Sequence, residues 1–212
     1  MNKKYIVFDL DDTLYYELDF LKSAYKEIAQ TISKNNFEPI LEQMLNLYAD
    51  NEDVFGYLSL KYSFPKDDLL KIYREHFPEV NLRKEVREIL DRLQNDDVKM
   101  GLLTDGRSLT QRNKIKALGI EKYFNKIIIS EEFGSEKPDE KNYRIFLEPG
   151  YEYYYVADNP KKDFITPNIL GWHTVMIEDD EKKRIHKIPD LLDEKWIAEK
   201  ILRWNYFYKL IN

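Results

Sequence analysis

Asp9, Asp11 and Asp12 crowd the end of an apolar run near the start of the chain, in the string Asp9-Leu10-Asp11-Asp12-Thr13-Leu14. Carboxylates this close repel one another unless a cation or a proton neutralises them. A solvated acidic turn or a helix cap accounts for one such aspartate, but not for three at the end of a buried strand. A second acidic string, Asp158-Asn159-Pro160-Lys161-Lys162-Asp163, closes the apolar run Tyr153–Ala157. Alone, Asp158 is an ordinary turn residue and Asp163 a helix N-terminal one. Together, Asp9, Asp11 and Asp158 can converge on one hard cation through oxygen ligands. Mg2+ suits such a set, because it takes few carboxylates, keeps waters and accepts a substrate phosphate as a ligand.

Two further strings offer what an anionic substrate needs. Thr104-Asp105-Gly106 ends the run that starts at Lys99. A hydroxyl there, with the N–H groups of a following helix start, makes an anion site, although by itself the string reads as a plain strand-to-helix turn. Glu136-Lys137-Pro138 lies beyond the run Lys126–Ser130. A lysine there can reach a phosphate and hold a neighbouring carboxylate ionised. Most lysines are surface charges, and Lys137 stands out only by its position after a strand.

These strings meet only if the elements before them lie side by side. Five short runs, Tyr5–Leu10, Lys99–Thr104, Lys126–Ser130, Tyr153–Ala157 and Thr174–Ile177, are near-continuous in apolar residues rather than alternating. That is the pattern of parallel strands covered on both faces. Helical patterns lie between most of them, at Leu82–Leu93, Thr110–Leu118 and Lys141–Leu147. The alternation predicts an α/β fold: a doubly wound, Rossmann-like parallel sheet of about five strands. Ligands of such sheets bind outside the carboxyl ends of the strands, near a switch point.

From Glu17 to about Pro78 no strand is legible. Helices are expected at Asp19–Ile32, Ile40–Tyr48 and Val54–Tyr62, with a further one after Pro65, where Asp67 and Asp68 suit a first turn. This block reads as an inserted helical cap, residues 17–78, on a core formed by residues 1–16 and 79–212. Tyr15, Tyr16 and Glu17 lie where the chain leaves for the cap. The segment from Asp190, carrying Leu191, Leu192, Trp196, Ile197, Ile201 and Leu202, reads as a final amphipathic helix. The aromatic cluster Trp204–Tyr208 is expected to pack back on the core rather than to mark a partner surface.

Composition narrows the function classes. The 212 residues suffice for one domain with an insert, and 43% hydrophobic with 34% charged residues is a globular balance. The net charge of −6 is interspersed and shows no basic face, so no nucleic-acid partner is expected. The absence of cysteine excludes disulfides and thiolate chemistry. With no signal segment and no apolar stretch of membrane-spanning length, a soluble, cytoplasmic protein without a membrane partner is expected.

Taken together, the four strings resemble the motifs of the haloacid dehalogenase superfamily, in order and spacing from about residue 5 to 177. The family's Asp-x-Asp-x-Thr motif is met by Asp9, Asp11 and Thr13, its second-motif hydroxyl by Thr104, its third-motif lysine by Lys137 and its fourth-motif acids by Asp158 and Asp163. The insert after the first motif is similar to the family's type 1 cap. One departure is Asp105, where an asparagine is frequent.

The resemblance implies a Mg2+-dependent phosphatase acting on a small phosphorylated metabolite. Asp9 would be the nucleophile that forms an aspartyl-phosphate, and Asp11 the general acid and then base. Thr104, Asp105 and Lys137 would bind the phosphate. Asp9, Asp158 and Asp11, the last through its backbone carbonyl, would hold the metal. Asp163 would orient Lys137 or a metal-bound water. Asp11 separates this branch from the dehalogenases, which lack an acid there. A phosphoglucomutase-like phosphotransferase and a non-catalytic binding module on the same fold are the alternatives. An amide is a poor nucleophile, so Asp9→Asn should abolish phosphate release while leaving the circular dichroism spectrum intact. Near-normal turnover by the folded variant would remove Asp9 from the chemistry.

Overall fold

A computed structural model describes residues 3–178 and 196–211. Its centre is a sheet of six strands: β1 (Lys3–Phe8), β2 (Lys99–Thr104), β3 (Lys126–Ile129), β4 (Tyr151–Ala157), β5 (His173–Ile177) and β6 (Lys200–Leu202). They are hydrogen-bonded in the order β3-β2-β1-β4-β5-β6, and every pair is parallel. The chain moves outward from β1 to β2 and β3, then returns to place β4 on the other side of β1. The reversal leaves a crevice at the carboxyl ends of β1 and its neighbours.

The apolar runs became strands because both faces of the sheet are covered. Ile6, Phe8, Met100, Leu102, Tyr154, Val156 and Val175 point to one side, where α5 (Val86–Asn95) and α6 (Ser108–Leu118) pack. The one-turn helix α7 (Ser130–Phe133) follows β3. Tyr5, Val7, Leu103, Tyr155, Ala157 and Met176 point to the other side, against the short helices α8 (Lys141–Arg144) and α9 (Ile165–Ile169) and their flanks. This is the period-two alternation of a strand with both faces apolar. Gly101 of β2 lets Phe146 approach the strand: a Cβ there would stand 2.5 Å from the Phe146 ring.

Between β1 and α5 lie four helices: α1 (Glu17–Ile32), α2 (Glu38–Ala49), α3 (Val54–Tyr62) and α4 (Lys66–Glu75). They bury a cluster of their own from Leu21, Tyr25, Ile28, Met44, Leu58 and Leu69. Asp12, with a left-handed φ of 53°, accepts the Glu17 N–H at 2.8 Å and so caps the approach to α1. Pro65 immediately precedes α4, and Asp67 and Asp68 occupy its first turn. The C-terminal end of α4 is tied to α6: Thr110 Oγ1 donates to the Arg74 carbonyl at 2.7 Å, and Asn113 Nδ2 to the carbonyls of Glu75 and His76 at 3.0 and 3.1 Å.

The chain differs from the sequence reading at its far end. The sheet has six strands rather than about five, because Lys200–Leu202 pairs with Val175–Ile177 instead of continuing a helix. Leu191 and Leu192, part of that expected helix, lie outside the described residues. Apolar pairs such as Ile201-Leu202 satisfy a helical stripe or a strand equally. The open edge of β5, a tertiary feature, selects the strand. The helix begins only at Trp204 and runs to Ile211 as α10. Its aromatics do pack on the core: the Trp204 ring stacks 6.3 Å from Phe8, and Phe207 is fully buried beside both. Trp204 Nε1 also donates to the Thr13 carbonyl at 3.2 Å, pinning the loop that follows β1. Leu82 precedes α5 rather than opening it, and α8 stops at Arg144.

Phe207→Ala should lower the unfolding free energy by about 3–5 kcal/mol, the usual cost of deleting a fully buried aromatic side chain. Urea denaturation of wild type and variant measures it, and a loss below about 1 kcal/mol would mean that α10 does not belong to the core.

Candidate active site

The carboxyl ends of β1, β2 and β4 gather the residues singled out in the sequence. Asp9 is the first residue past β1, and its N–H donates to the Val156 carbonyl of β4 at 2.9 Å. Asp158 is the first residue past β4. Thr13 returns from the intervening loop so that its Oγ1 lies 3.1 Å from Asp9 Oδ2 and 3.4 Å from Asp158 Oδ1. The side chains of Asp9 and Asp158 thus converge around one hydroxyl, and both residues are buried.

Lys137 enters from the loop beyond β3. Its Nζ donates to Asp9 Oδ1 at 2.5 Å, to Asp163 Oδ1 at 2.7 Å and to the Tyr155 hydroxyl at 3.3 Å. Three acceptors match the three protons of an ammonium. Asp163 is fully buried, and its other oxygen accepts the Asn159 N–H at 3.1 Å. It therefore braces the loop after β4 and aims Lys137, instead of capping α9.

Electrostatics follow from this crowding. Burial pushes the Asp9 carboxyl up to about 6 against the pull of Lys137. Burial, with the charges of Asp9 and Asp163, holds Asp158 well above the usual carboxylate range. Burial alone would lower the Lys137 pKa, but Asp163, Asp9 and Asp105 outweigh it and keep the ammonium charged. The pocket wants another positive charge.

Asp11 lies apart from the Asp9–Asp158 pair. Its carboxylate accepts from the Tyr15 hydroxyl at 2.5 Å, from Gln111 Nε2 at 2.8 Å and from Lys114 Nζ at 2.7 Å. Burial works to raise its pKa, but Lys114 and the hydrogen bonds prevail and leave the carboxyl below its usual range. Among the described residues no group of three acidic or imidazole side chains is disposed to hold a metal. The two carboxylates that approach the Thr13 hydroxyl are those of Asp9 and Asp158.

Thr104, at the end of β2, is buried and accepts from Gln111 Nε2 at 2.5 Å. Asp105 points both its oxygens at lysines: Oδ1 accepts the Lys137 N–H at 3.0 Å and Oδ2 pairs with Lys162 Nζ at 3.1 Å. A carboxylate so placed repels a phosphate, so Asp105 can serve one only through its backbone N–H.

Sequence reasoning missed Gln111, Lys114 and Lys162, and read Tyr15 only as a place where the chain leaves the core. Gln111 and Lys114 are three residues apart on one face of α6, so both reach the strand ends. A polar pair on a stripe that includes the buried Ile115 and Leu118 was the available signal. Glu17, at the start of α1, also belongs to the cleft: burial and then the charge of Asp11 push it up to about 7.

The family model for haloacid dehalogenase-like hydrolases matches residues 6–177. A glyceraldehyde 3-phosphate phosphatase of Methanocaldococcus jannaschii is 29% identical over 221 aligned residues, covering 90% of this chain and 96% of the relative. A ribulose-1,5-bisphosphate 5-phosphatase of Halopiger xanaduensis is 27% identical over 50% of this chain and 46% of its own. Among solved structures, the HAD-hydrolase YfnB of Bacillus subtilis, bound to magnesium, superposes with a TM-score of 0.70 at 16% identity, over 100% of both chains. A HAD phosphatase of Thermococcus onnurineus gives 0.63 at 19% identity, covering 99% of this chain and 98% of that one. A match that runs from β1 to the end of β5, and takes in every residue of the charged cluster, makes the chain a member of the haloacid dehalogenase-like hydrolase family.

Proposed function

We propose that the chain hydrolyses the phosphate monoester of a small metabolite through an aspartyl-phosphate on Asp9, with Mg2+ as cofactor. The observation that carries this reading is the pairing of Asp9 with Lys137 and Asp158 at the end of β1, with Asp11 two residues further on in the same loop. The phosphatase names of the relatives support the reaction, and their sugar-phosphate substrates support the substrate class.

In the first step a carboxylate oxygen of Asp9 attacks phosphorus, the ester P–O bond breaks, and the leaving oxygen takes a proton from Asp11. In the second step Asp11 takes a proton from water, the resulting hydroxide attacks the same phosphorus, and Asp9 departs with release of inorganic phosphate. Lys137 and the Thr104 hydroxyl meet the phosphoryl oxygens as charge gathers there. Held below the usual carboxylate range by Lys114 and its hydrogen bonds, Asp11 suits the second step. In the first step Asp11 has to carry a proton, so its contact with Lys114 must be exchanged.

Mg2+ fits the residues present, because two carboxylates that share an excess of negative charge are what this ion takes from a protein. Asp9 and Asp158 would hold it with the backbone carbonyl of Asp11, and it would offset the repulsion between carboxylate and phosphate. Residues 17–78 would be a cap over the residue 1–16 and 79–212 core, closing on the organic part of the substrate. Tyr73 of α4 supports this placement: its ring lies 5.3 Å edge-on to Phe20, which in turn lies under Lys114 at 4.5 Å. A lid that excludes water until the leaving group has gone favours the order of the two steps.

Phosphate release from an aryl phosphate and from a panel of phosphorylated sugars, with and without Mg2+, tests the reading. Mg2+-dependent release is expected, and none from any ester would overturn it. Asp11→Asn should slow turnover by roughly 10²–10⁴-fold, less for aryl than for alkyl esters because an aryl oxide needs less protonation. Equal slowing of both would remove Asp11 as the acid.

The raised pKa values of Asp9 and Asp158 set the pH dependence of metal binding. At pH about 5 these groups hold protons that the cation must expel, and at pH about 7.5 fewer remain on Asp9. Mg2+ should therefore raise Tm more at the higher pH, toward a gain of about 2.7 kcal/mol at 100 times its Kd. Asp158→Asn should remove most of that gain. A Tm indifferent to millimolar Mg2+ at both pH values would count against the site.

A further inference from the structure

Lys162 is a cation in the cleft that the mechanism above does not use. Its Nζ lies 3.1 Å from Asp105 Oδ2, and the other Asp105 oxygen accepts the backbone N–H of Lys137. The ammonium is thus held by the residue that directly follows Thr104. Its charge favours the ionised forms of both Asp9 and Glu17, the latter at the start of α1. Its exposure also sets it apart. The Lys137 and Lys114 side chains are 0% and 4% exposed and tied to carboxylates, whereas that of Lys162 is 37% exposed.

Charge balance gives this placement a purpose. Around Thr104 the carboxylates of Asp9, Asp11, Asp105, Asp158 and Asp163 outnumber the ammonium groups of Lys114, Lys137 and Lys162. An incoming phosphate meets that excess at short range, in a setting that screens it poorly. Lys137 already spends its donors on Asp9, Asp163 and Tyr155. The Lys162 ammonium has one hydrogen-bonded contact among the described residues and donors to spare.

We propose that Lys162 is a second phosphoryl-contacting residue, which Asp105 holds over the mouth of the pocket and yields to the phosphate of the substrate. The proposal rests on the phosphatase reading. The aspartate next to Thr104 then has a definite role. It pre-positions the ammonium in the empty pocket, and it competes with the phosphate for that ammonium in the filled one. The alternative is that Lys162 only neutralises Asp105.

A set of variants of the full chain separates the two. KM and kcat for p-nitrophenyl phosphate, and Kd for inorganic phosphate by calorimetry, are measured at saturating Mg2+ for wild type, Lys162→Met, Lys162→Arg and Asp105→Asn/Lys162→Met. Direct contact predicts that Lys162→Met raises KM and the phosphate Kd by about 10- to 100-fold, with kcat changed less. Lys162→Arg should stay within about threefold of wild type, and the double variant should remain as weak as Lys162→Met. Recovery of wild-type phosphate affinity in the double variant would overturn the proposal, because a lysine that only balances Asp105 is dispensable once Asp105 is neutral. A Lys162→Met Kd within about twofold of wild type would overturn it too. Wild type that binds phosphate without turning over the ester would sink the phosphatase reading alone, and the Kd comparison would still decide the role of Lys162.

Discussion

The ion pairs of Lys137 with Asp9 and Asp163 are the constraint around which the cleft is arranged. Three buried carboxylates, Asp9, Asp158 and Asp163, stand at the carboxyl ends of two adjacent parallel strands or just beyond, where their repulsion is poorly screened. One buried ammonium bridges two of them, with a tyrosine hydroxyl taking its remaining donor. Removing one member of such an arrangement leaves an uncompensated buried charge, which costs about 3–5 kcal/mol. The same excess of negative charge is what the proposed divalent cation would offset.

The sheet makes this crowding possible. Its reversal puts β1 between β2 and β4, so residues distant in sequence end at the same level: Phe8 pairs with Leu102 on one side and Val156 on the other. Aromatic packing keeps that level constant. Tyr5 stacks on Tyr153, and Phe8 is clamped between Phe124, Trp204 and Phe207. Because Trp204 also binds the Thr13 carbonyl, the last helix of the chain holds the loop that carries the first acidic string.

Helix α6 touches both the strand ends and the α1–α4 block. Gln111 and Lys114 on one of its faces fix the Asp11 carboxylate, while Thr110 and Asn113 on the adjoining face bind the end of α4. Displacement of the α1–α4 block relative to α6 would therefore be felt at Asp11. The Phe20 ring, between Lys114 and Tyr73, is a second route for the same coupling.

The strands of the core were legible because a parallel sheet covered on both faces demands near-continuous apolar runs, and a run read from one sequence shows that directly. Asp9, Thr104 and Asp158 were legible for the same reason, since each ends or directly follows such a run. Lys137 was legible by its place beyond one, and the helices of the insert by their spacing. Tertiary structure decided the remainder. Lys200–Leu202 became a strand because β5 offered an open edge, and three residues carry no periodicity that could say so. Asp11 turned to Lys114, and Asp105 to Lys162, because those lysines arrive from α6 and from the loop after β4. Sequence by itself determined which residue types stand at the strand ends. Which charge each one faces depends on distant partners, as Lys137 lies 128 positions from Asp9, and only packing brings those together.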